Sequence, residues 1–340
     1  MIIFAALLYL AILIFLSWLG FKRTTSATDY LLGGRNTNAL IMALSYGATF
    51  ISTSAIIGFG GVAANNGMGI LGLTFLNVFI GVFIAFVVFG KRTHKLGLEL
   101  DAHTFPELLG KRFDSKLLQT AAGLMIFLFM PIYAAAIIKG GVNFMETYFH
   151  IPYDFSLIVF VSIVALYVMF GGFKAVMYTD AFQGAILFVA MLVLAIVTYV
   201  KLGGVIPAHE QLTSLFSEPK IQDDIAGYKA QGFQGWTALP KAGSPMWWSL
   251  ISSLLGAVGF GVLAQPQLIV RFMTVKRVRD LNRAVFSGGL FIMVMAGGAY
   301  VVGALSNVLI FNDTGSIARV AAGGVSDKII PYFIVSYMPE

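Results

Sequence analysis

Long apolar runs separated by short polar segments follow one another along the whole chain. Each run is continuous over about 16–25 residues, the length with which an α-helix crosses the hydrocarbon core of a bilayer. The strands of a membrane β-barrel would instead alternate apolar and polar positions over about 10 residues. The pattern therefore predicts eight membrane-spanning helices, at roughly 2–20, 39–64, 69–90, 118–145, 155–172, 181–200, 246–270 and 284–311.

Basic residues are concentrated in every second connecting segment. If the first run starts outside the cell, 15 of the 22 Lys and Arg residues fall in inner segments and six in outer segments. Inner loops of membrane proteins are enriched in these residues, so the bias predicts a multi-pass protein of the cell membrane with its N-terminus outside. Because the first run lacks a preceding basic segment and is followed by Lys22 and Arg23, we expect a true span and not a cleaved signal peptide. The inner segments are 21–36, 91–117, 171–180 and 271–283.

The composition agrees with a protein embedded in the lipid bilayer. Hydrophobic residues make up 58% of the 340 and charged residues 11%, whereas a soluble domain carries about 25% charged residues. The net charge of +6 follows from the inner segments and does not indicate a nucleic-acid partner. The chain has no cysteine, which excludes disulfides and thiolate metal sites. It also lacks phosphate-binding and nucleophile motifs, so we do not expect an enzyme.

Two of the eight runs contain poor helix formers at their centres. The second run holds SYGATFISTSAIIGFGG, residues 45–61, in which Thr49, Ser52, Thr53 and Ser54 lie between glycines. The seventh run holds GFGVLAQPQ, with Pro at position 266. Glycine costs about 1 kcal/mol in a helix interior, and proline removes a backbone hydrogen bond. Broken backbone inside a membrane persists only where it is buried in protein or lines a cavity. Both runs are therefore predicted to be broken helices, the alternative being small residues that only allow close helix packing.

The two predicted breaks lie five spans apart. Since five is odd, the second broken helix enters the membrane from the opposite side to the first, as in the inverted repeats of secondary transporters, where solute and ions bind at the breaks. We therefore expect a single transmembrane transporter domain over 1–340. Its parts would be an extra N-terminal helix at 2–20, a first five-helix repeat at 37–202, an extracytoplasmic loop with short helices at 203–245 and the start of a second repeat at 246–340.

Four stretches resemble the sodium:solute symporter family. They are DYLLGGRN (29–36), LSYGATFISTSAIIGFGG (44–61), ALYVMFGGFKAVMYTDAFQG (165–184) and GFGVLAQPQLIVRFM (259–273). The resemblance implies an all-α integral membrane protein with an inverted-repeat (LeuT-like) transporter core, in which one extra N-terminal helix precedes ten core helices. It also implies Na+ as the coupling ion, a small organic solute as the substrate, and no other cofactor or metal. Only seven core spans follow the extra helix, so we expect a fragment or a truncated form of such a transporter.

The resemblance also implies a sodium site at the first break. The backbone carbonyls of Ala48 and Ile51 match the family's sodium ligands, and Asp180 matches an aspartate associated with sodium passage. Thr179 and Gln183 share a helix face with Asp180 by spacing. The alternative for Asp180 is an acidic residue that stabilises the N-terminal end of its helix.

The expected solute site lies beside the two breaks. Phe50, Ser54, Val258 and Val262 replace other residues that the proline symporters have at the matching positions, so we do not assign proline. We expect a small carboxylate or amino-acid-like solute. Lys139 is a candidate partner of the solute's carboxylate, and its alternatives are a side chain that extends to the membrane surface and a pair with Glu146. The candidate solute-binding residues are Phe50, Ser52, Ser54, Tyr133, Lys139, Val258, Val262 and Gln265.

Two other functions use the same features. A helical core of this kind joined to a signalling module would be a membrane sensory domain. The sequence beyond residue 340 would discriminate a sensory domain from a transporter. A channel would need a span that is polar along its full length, which no run provides. The sequence therefore favours a sodium-coupled symporter that works by alternating access.

Overall fold

The computed structural model describes residues 2–52 and 54–338, and these ranges are almost entirely helical. Segments of 3-10 or π-helix join or extend the α-helices at Gly33–Arg35, Ser54–Gly58, Met68–Ile70, Phe79–Gly90, Pro219–Ile221, Ser249–Val258 and Val262–Ala264. The α-helices are α1 (Ile2–Lys22), α2 (Ala27–Leu32), α3 (Ala39–Phe50), α4 (Phe59–Asn66), α5 (Leu71–Val78), α6 (Lys91–Glu99), α7 (Phe105–Phe113), α8 (Lys116–Phe149), α9 (Tyr153–Lys201), α10 (Val205–Leu215), α11 (Gln222–Ala230), α12 (Pro245–Trp248), α13 (Gly259–Gly261), α14 (Pro266–Phe272), α15 (Val278–Thr314), α16 (Ala318–Ala321) and α17 (Ser326–Tyr337).

Five helical segments are long and apolar enough to cross a membrane, and a bent pair brings the number to six. The other two predicted spans fall on the shorter apolar helices Leu7–Lys22 and Tyr153–Leu166. The described structure therefore supports a multi-span membrane protein with five or six candidate spans in place of the predicted eight. The five segments are Met68–Glu99, Lys116–Phe149, Val168–Lys201, Pro245–Ala264 and Val278–Thr314.

The 49-residue helix α9 is interrupted at Gly172. Gly172 has φ 57° and ψ −163°, a conformation that side chains with a Cβ rarely adopt. A Cβ at this position would also lie 2.6 Å from the ring of Tyr30. The predicted spans at 155–172 and 181–200 are thus joined by a tight kink and not by a polar loop.

The long helix α15 forms the centre of the packed core. It packs against α3, α4, α5 and α9, and small residues permit the closest of these contacts. A Cβ at Gly303 of α15 would lie 2.1 Å from the carbonyl oxygen of Gly60 in α4. The glycine-rich stretch that follows the first predicted break is therefore buried against α15.

The segment 203–245 contains short helices and covers the C-terminal end of α4. Its Trp236 is buried, and the indole Nε1 donates a hydrogen bond to the carbonyl oxygen of Ala64 over 2.6 Å. The Trp236 carbonyl accepts a 2.6 Å hydrogen bond from the backbone N–H of Met68. This residue consequently fixes the turn between α4 and α5.

Candidate functional site

The first broken helix, residues 39–66, consists of α3, the π-helical turn Ser54–Gly58 and α4. Helix α3 ends at Phe50, and Ile51 leaves the helical region with φ −93° and ψ 78°. The segments on either side of the break are bent by 52°. The last carbonyls of a helix have no partner within it, so the end of α3 presents backbone oxygens at the bend. Thr53 and the side chain of Ser54 lie outside the described residues.

The second broken helix, residues 245–272, breaks immediately before its proline. Gln265 is extended, with φ −72° and ψ 114°, and Pro266 is the first residue of α14. Proline has no backbone N–H, and it is tolerated at the first helical position because an N–H there would have no partner within the helix. The predicted break at this position is therefore present, with its polar residue at the bend.

The two broken helices run in opposite directions. Thr37, just before α3, forms a backbone bridge with Val275, just after α14. The backbone N–H of Thr37 donates to the carbonyl oxygen of Thr274 over 3.1 Å. The beginning of one broken helix therefore lies beside the end of the other.

A cavity of about 330 Å³ lies between the two bends. The first broken helix lines it with five residues and the second with another five, while α5, α8 and α15 contribute the rest. Seven of the sequence-predicted residues lie together here, which are Phe50, Ile51, Ser52, Tyr133, Val258, Val262 and Gln265. The remaining lining residues are Ala55, Phe59, Asn77, Ala257, Gly261 and Tyr300.

Polar side chains in this cavity come from both broken helices and from α5 and α8. Tyr133 of α8 lies in the lining together with Ser52 of the first bend. Asn77 is only 4% exposed, and its Oδ1 has no hydrogen-bond partner among the described residues. Sequence reasoning missed Asn77, although an asparagine inside an apolar run is itself a signal of a polar function in a membrane.

A charged pair lies between α9 and the two broken helices. The Arg271 guanidinium donates to Asp180 Oδ2 over 2.6 Å, and the side chains are 3% and 16% exposed. The same carboxylate oxygen accepts hydrogen bonds from the hydroxyls of Ser45 and Thr49 over 3.1 and 3.2 Å. Arg271 Nε also donates to Ser45 Oγ over 3.2 Å. The cluster thereby ties α3, α9 and α14 together.

Two neighbours of Asp180 point elsewhere. Thr179 donates to the carbonyls of Ala175 and Val176 within its own helix. Gln183 donates to the Tyr9 hydroxyl of α1 over 2.7 Å. Asp180 is consequently the member of this predicted group that joins the charged cluster.

Ala48 lies one turn from the first bend and does not line the cavity. A Cβ added at Gly184 of α9 would lie 3.3 Å from Ala48 Cβ, so α9 packs closely against α3 at this point. Ile51 is buried at the bend. Two of the predicted sodium-binding residues, Ala48 and Ile51, thus lie at the C-terminal end of α3. The third, Asp180, lies on α9, which packs beside α3.

Lys139 lies outside the cavity lining. Its Nζ is 3.1 Å from Asp327 Oδ2 of α17, and Glu146 lies 3.1 Å from Lys328 of the same helix. The alternative pair of Lys139 with Glu146 is therefore not formed, because α17 supplies a partner to each. The two ion pairs instead connect α8 to α17.

Comparison with known proteins places this arrangement in a family. The sequence model of the sodium:solute symporter family matches residues 30–340. A structure of a Na+-coupled sialic acid symporter in a substrate-bound, outward-open state aligns with a TM-score of 0.73 over 97% of this chain and 64% of that chain. At 20% sequence identity, this likeness shows a shared fold.

Several relatives are similar in sequence. The osmoregulated proline transporter of Bacillus subtilis is 31% identical over 87% of this chain and 56% of its own length. The sodium/pantothenate symporter of Haemophilus influenzae is 29% identical, with 94% and 60% covered. The sodium/proline symporter of Staphylococcus aureus strain JH9 is 32% identical, with 87% and 54% covered. The chain spans a little over half the length of these curated relatives, and it belongs to the sodium:solute symporter family.

Proposed function

We propose that the chain forms the solute-binding part of a sodium-coupled symporter that imports a small organic solute and catalyses no reaction. The observation that carries this proposal is the cavity between two oppositely directed broken helices, with the Asp180–Arg271 pair between these helices and α9. In secondary transporters, solute and ions bind at such breaks near the middle of the membrane. The relatives with sodium-coupled names support the same assignment.

Sodium is proposed to bind at the end of α3. The carbonyls of Ala48 and Ile51 would be its backbone ligands, because the C-terminal end of a helix carries a partial negative charge. Asp180 is proposed to attract the ion on its way to the inner side. Since this carboxylate is paired with Arg271, passage of the ion would require that pair to loosen.

The solute is proposed to occupy the cavity with its polar group toward Asn77, Tyr133 and Gln265. The lining residues carry no charged side chain, which supports a small solute recognised by hydrogen bonds and by contact with Phe50, Val258 and Val262. The unpaired Asn77 Oδ1 supports a solute with an N–H or O–H donor, as in an amino acid or a hydroxylated carboxylate. Ser52 would contact it from the first bend. Ser54, next to that bend, and Lys139, on the outer approach, remain candidates for the solute's carboxylate.

The architecture is proposed to be the inverted repeat expected from the sequence. The first repeat would cover 37–202 and the second would begin at 246, after an extra helix at 2–20 and an outer loop at 203–245. The opposite directions of the broken helices support two breaks that lie an odd number of spans apart. Eight crossings with an outer N-terminus are proposed from the apolar runs and from the distribution of Lys and Arg. The protein would then lie in the cell membrane.

Uptake would follow from linkage between the ion and the conformation. If sodium binds more tightly when the Asp180–Arg271 cluster is closed, it raises the population of the outward-facing, solute-competent state. The solute and sodium then increase each other's affinity by the same factor. The inward sodium gradient supplies the direction of transport.

The proposal is tested by measuring the thermal unfolding of the purified protein in sodium or choline chloride with a panel of amino acids and small organic acids. A ligand that binds the native state raises Tm as its concentration exceeds Kd, so we expect an increase that requires sodium and one class of solute. Ser52→Ala and Tyr133→Phe should abolish the solute-dependent increase. Ser214→Ala, an exposed serine of the outer segment, is the control and should retain it. A Tm that is independent of sodium with every solute contradicts the proposal.

A further inference from the structure

A second polar cavity, of about 500 Å³, opens at the inner end of the molecule. One wall is the beginning of α3 and the other is the beginning of α15. The bridge between Thr37 and Val275 holds the two walls together, so the pocket is a fixed part of the fold. Its lining residues are Asn36, Thr37, Asn38, Ala39, Leu40, Lys276, Asp280, Arg283 and Ser287.

The pocket and its rim carry positive charge without bound counter-charges. Across residues 2–52 and 54–338, none of the ion pairs includes a cation of this region. The acidic residue of the pocket, Asp280, accepts a 3.2 Å hydrogen bond from the backbone N–H at the start of α15 and thus caps that helix. The exposed cations concerned are Lys276, Arg277, Arg279 and Arg283.

Several other cations of the predicted inner segments are paired with carboxylates. Lys174 lies 2.8 Å from Asp29, and its ammonium holds the pKa of that carboxyl below its usual range. Lys111 lies 2.7 Å from Glu107. The pocket therefore differs from the paired sites, since its charge is available to an external anion.

Apolar side chains continue the positive region toward the membrane. Arg279, Arg283, Phe286, Leu290 and Met293 are spaced four, three, four and three residues apart, which places them on one face of α15. The last three are 78%, 41% and 51% exposed. This face is thus cationic at its inner end and apolar along the membrane-spanning part of the helix.

We propose that the pocket binds the headgroup of an anionic phospholipid of the inner leaflet. Lys276 and Arg283 contact the phosphate, while Phe286 and Leu290 contact an acyl chain. A free phosphate would use only the cations, whereas a phospholipid uses both the cations and the apolar face that continues from them. Basic pockets on the cytoplasmic side of membrane helices recognise lipid headgroups through this combination.

Native mass spectrometry of the purified protein in neutral detergent, titrated with phosphatidylglycerol or with phosphatidylcholine, tests the proposal. We expect tighter binding of phosphatidylglycerol, and the double variant Lys276→Gln/Arg283→Gln should weaken it roughly thirtyfold, on the order of fivefold for each charge removed. The matched control is Arg112→Gln/Lys116→Gln, which removes two exposed cations of a predicted inner segment away from the pocket. Equal losses in the two double variants would overturn the proposal, because they would show attraction to the positive surface as a whole.

Two further variants separate lipid binding from misfolding and from simple phosphate binding. The charge-conserving variant Lys276→Arg/Arg283→Lys should retain phosphatidylglycerol. Phe286→Ser should weaken binding of phosphatidylglycerol but leave binding of soluble glycerol 3-phosphate unchanged. If glycerol 3-phosphate binds as tightly as the lipid, the acyl contact is absent and the assignment to a lipid fails.

Discussion

The first broken helix, residues 39–66, and the second, residues 245–272, bend beside the same cavity, but only the second contains a proline. The first bends at Ile51 among hydroxyl and small residues, and it presents backbone oxygens and Ser52 to the cavity. The second bends at Gln265, immediately before its proline. Each helix contributes one polar side chain to the lining, Ser52 or Gln265, beside four apolar or small residues. The two walls of the shared cavity are thus alike in polarity and differ in how they bend.

The two broken helices also differ in how their glycines are packed. A Cβ at Gly61 of the first would lie 2.3 Å from the backbone oxygen of Ser326 in α17, whereas a Cβ at Gly261 of the second would meet nothing within 4 Å. The second instead supplies the buried Arg271 near its C-terminal end. The first broken helix is therefore held along its C-terminal half, α4, and the second is held most strongly at its C-terminal end, α14.

The largest expected effect comes from removing Arg271, the charged residue of the second broken helix that contacts the first. Arg271→Met leaves Asp180 without its partner, and a buried charge without a partner costs about 3–5 kcal/mol of folding free energy. The double variant Asp180→Leu/Arg271→Met should recover most of this loss. The free energy of unfolding in detergent titrations measures both. Additive losses in the double variant would mean that the pair is not coupled.

A smaller effect is expected from substitutions at Gly61 and Gly261, which differ in how closely they are packed. Gly61→Ala forces α4 and α17 apart, and such overpacking costs about 1–3 kcal/mol. Gly261→Ala has open space around it and should stabilise the helix by up to about 1 kcal/mol. The same unfolding measurement compares the two variants. If both lose equal stability, the contrast between the two helices is wrong.

Removing the proline tests whether the second bend depends on it. Pro266→Ala should cost about 0.4–1 kcal/mol, chiefly through the greater freedom of the unfolded chain. The bend should persist, because the Arg271 cluster and the first residues of α14 remain in place. Solute-dependent Tm increases in sodium should therefore be unchanged. Their disappearance would show that the proline itself shapes the site.

The smallest expected effect concerns the ion pairs that connect α8 to α17 over the first broken helix. Lys139→Met breaks an exposed pair, for which about 0.2–1 kcal/mol is typical. The loss should shrink at high salt, because exposed charges are screened. Unfolding measured at low and high ionic strength checks this. A loss that is large and independent of salt would indicate that Lys139 has another role.

Sequence reasoning located both breaks because their signals are local. Glycines, hydroxyls and a proline identify positions 51 and 265 without knowledge of neighbouring helices. Seven candidate residues that follow from those positions and from the family motifs line one cavity. The sodium, solute and domain assignments among them remain predictions.

The sequence could not show which distant side chains complete the site. Asn77 and Tyr300 come from helices whose rotation depends on packing, so their position at the cavity does not follow from spacing. Arg271 was counted with the inner loop cations, yet the structure buries it, because α14 turns it toward Asp180. Lys139 and Glu146 find their partners on α17, which no local pattern links to α8.

The contact of Trp236 with the first broken helix has a consequence for the order of assembly. Its indole reaches Ala64 across 172 positions of sequence, so the turn after α4 is completed only when the segment that carries Trp236 has been translated. The first broken helix therefore waits for a residue that is made much later in synthesis. A protein of this kind finishes its first broken helix long after the ribosome has passed it.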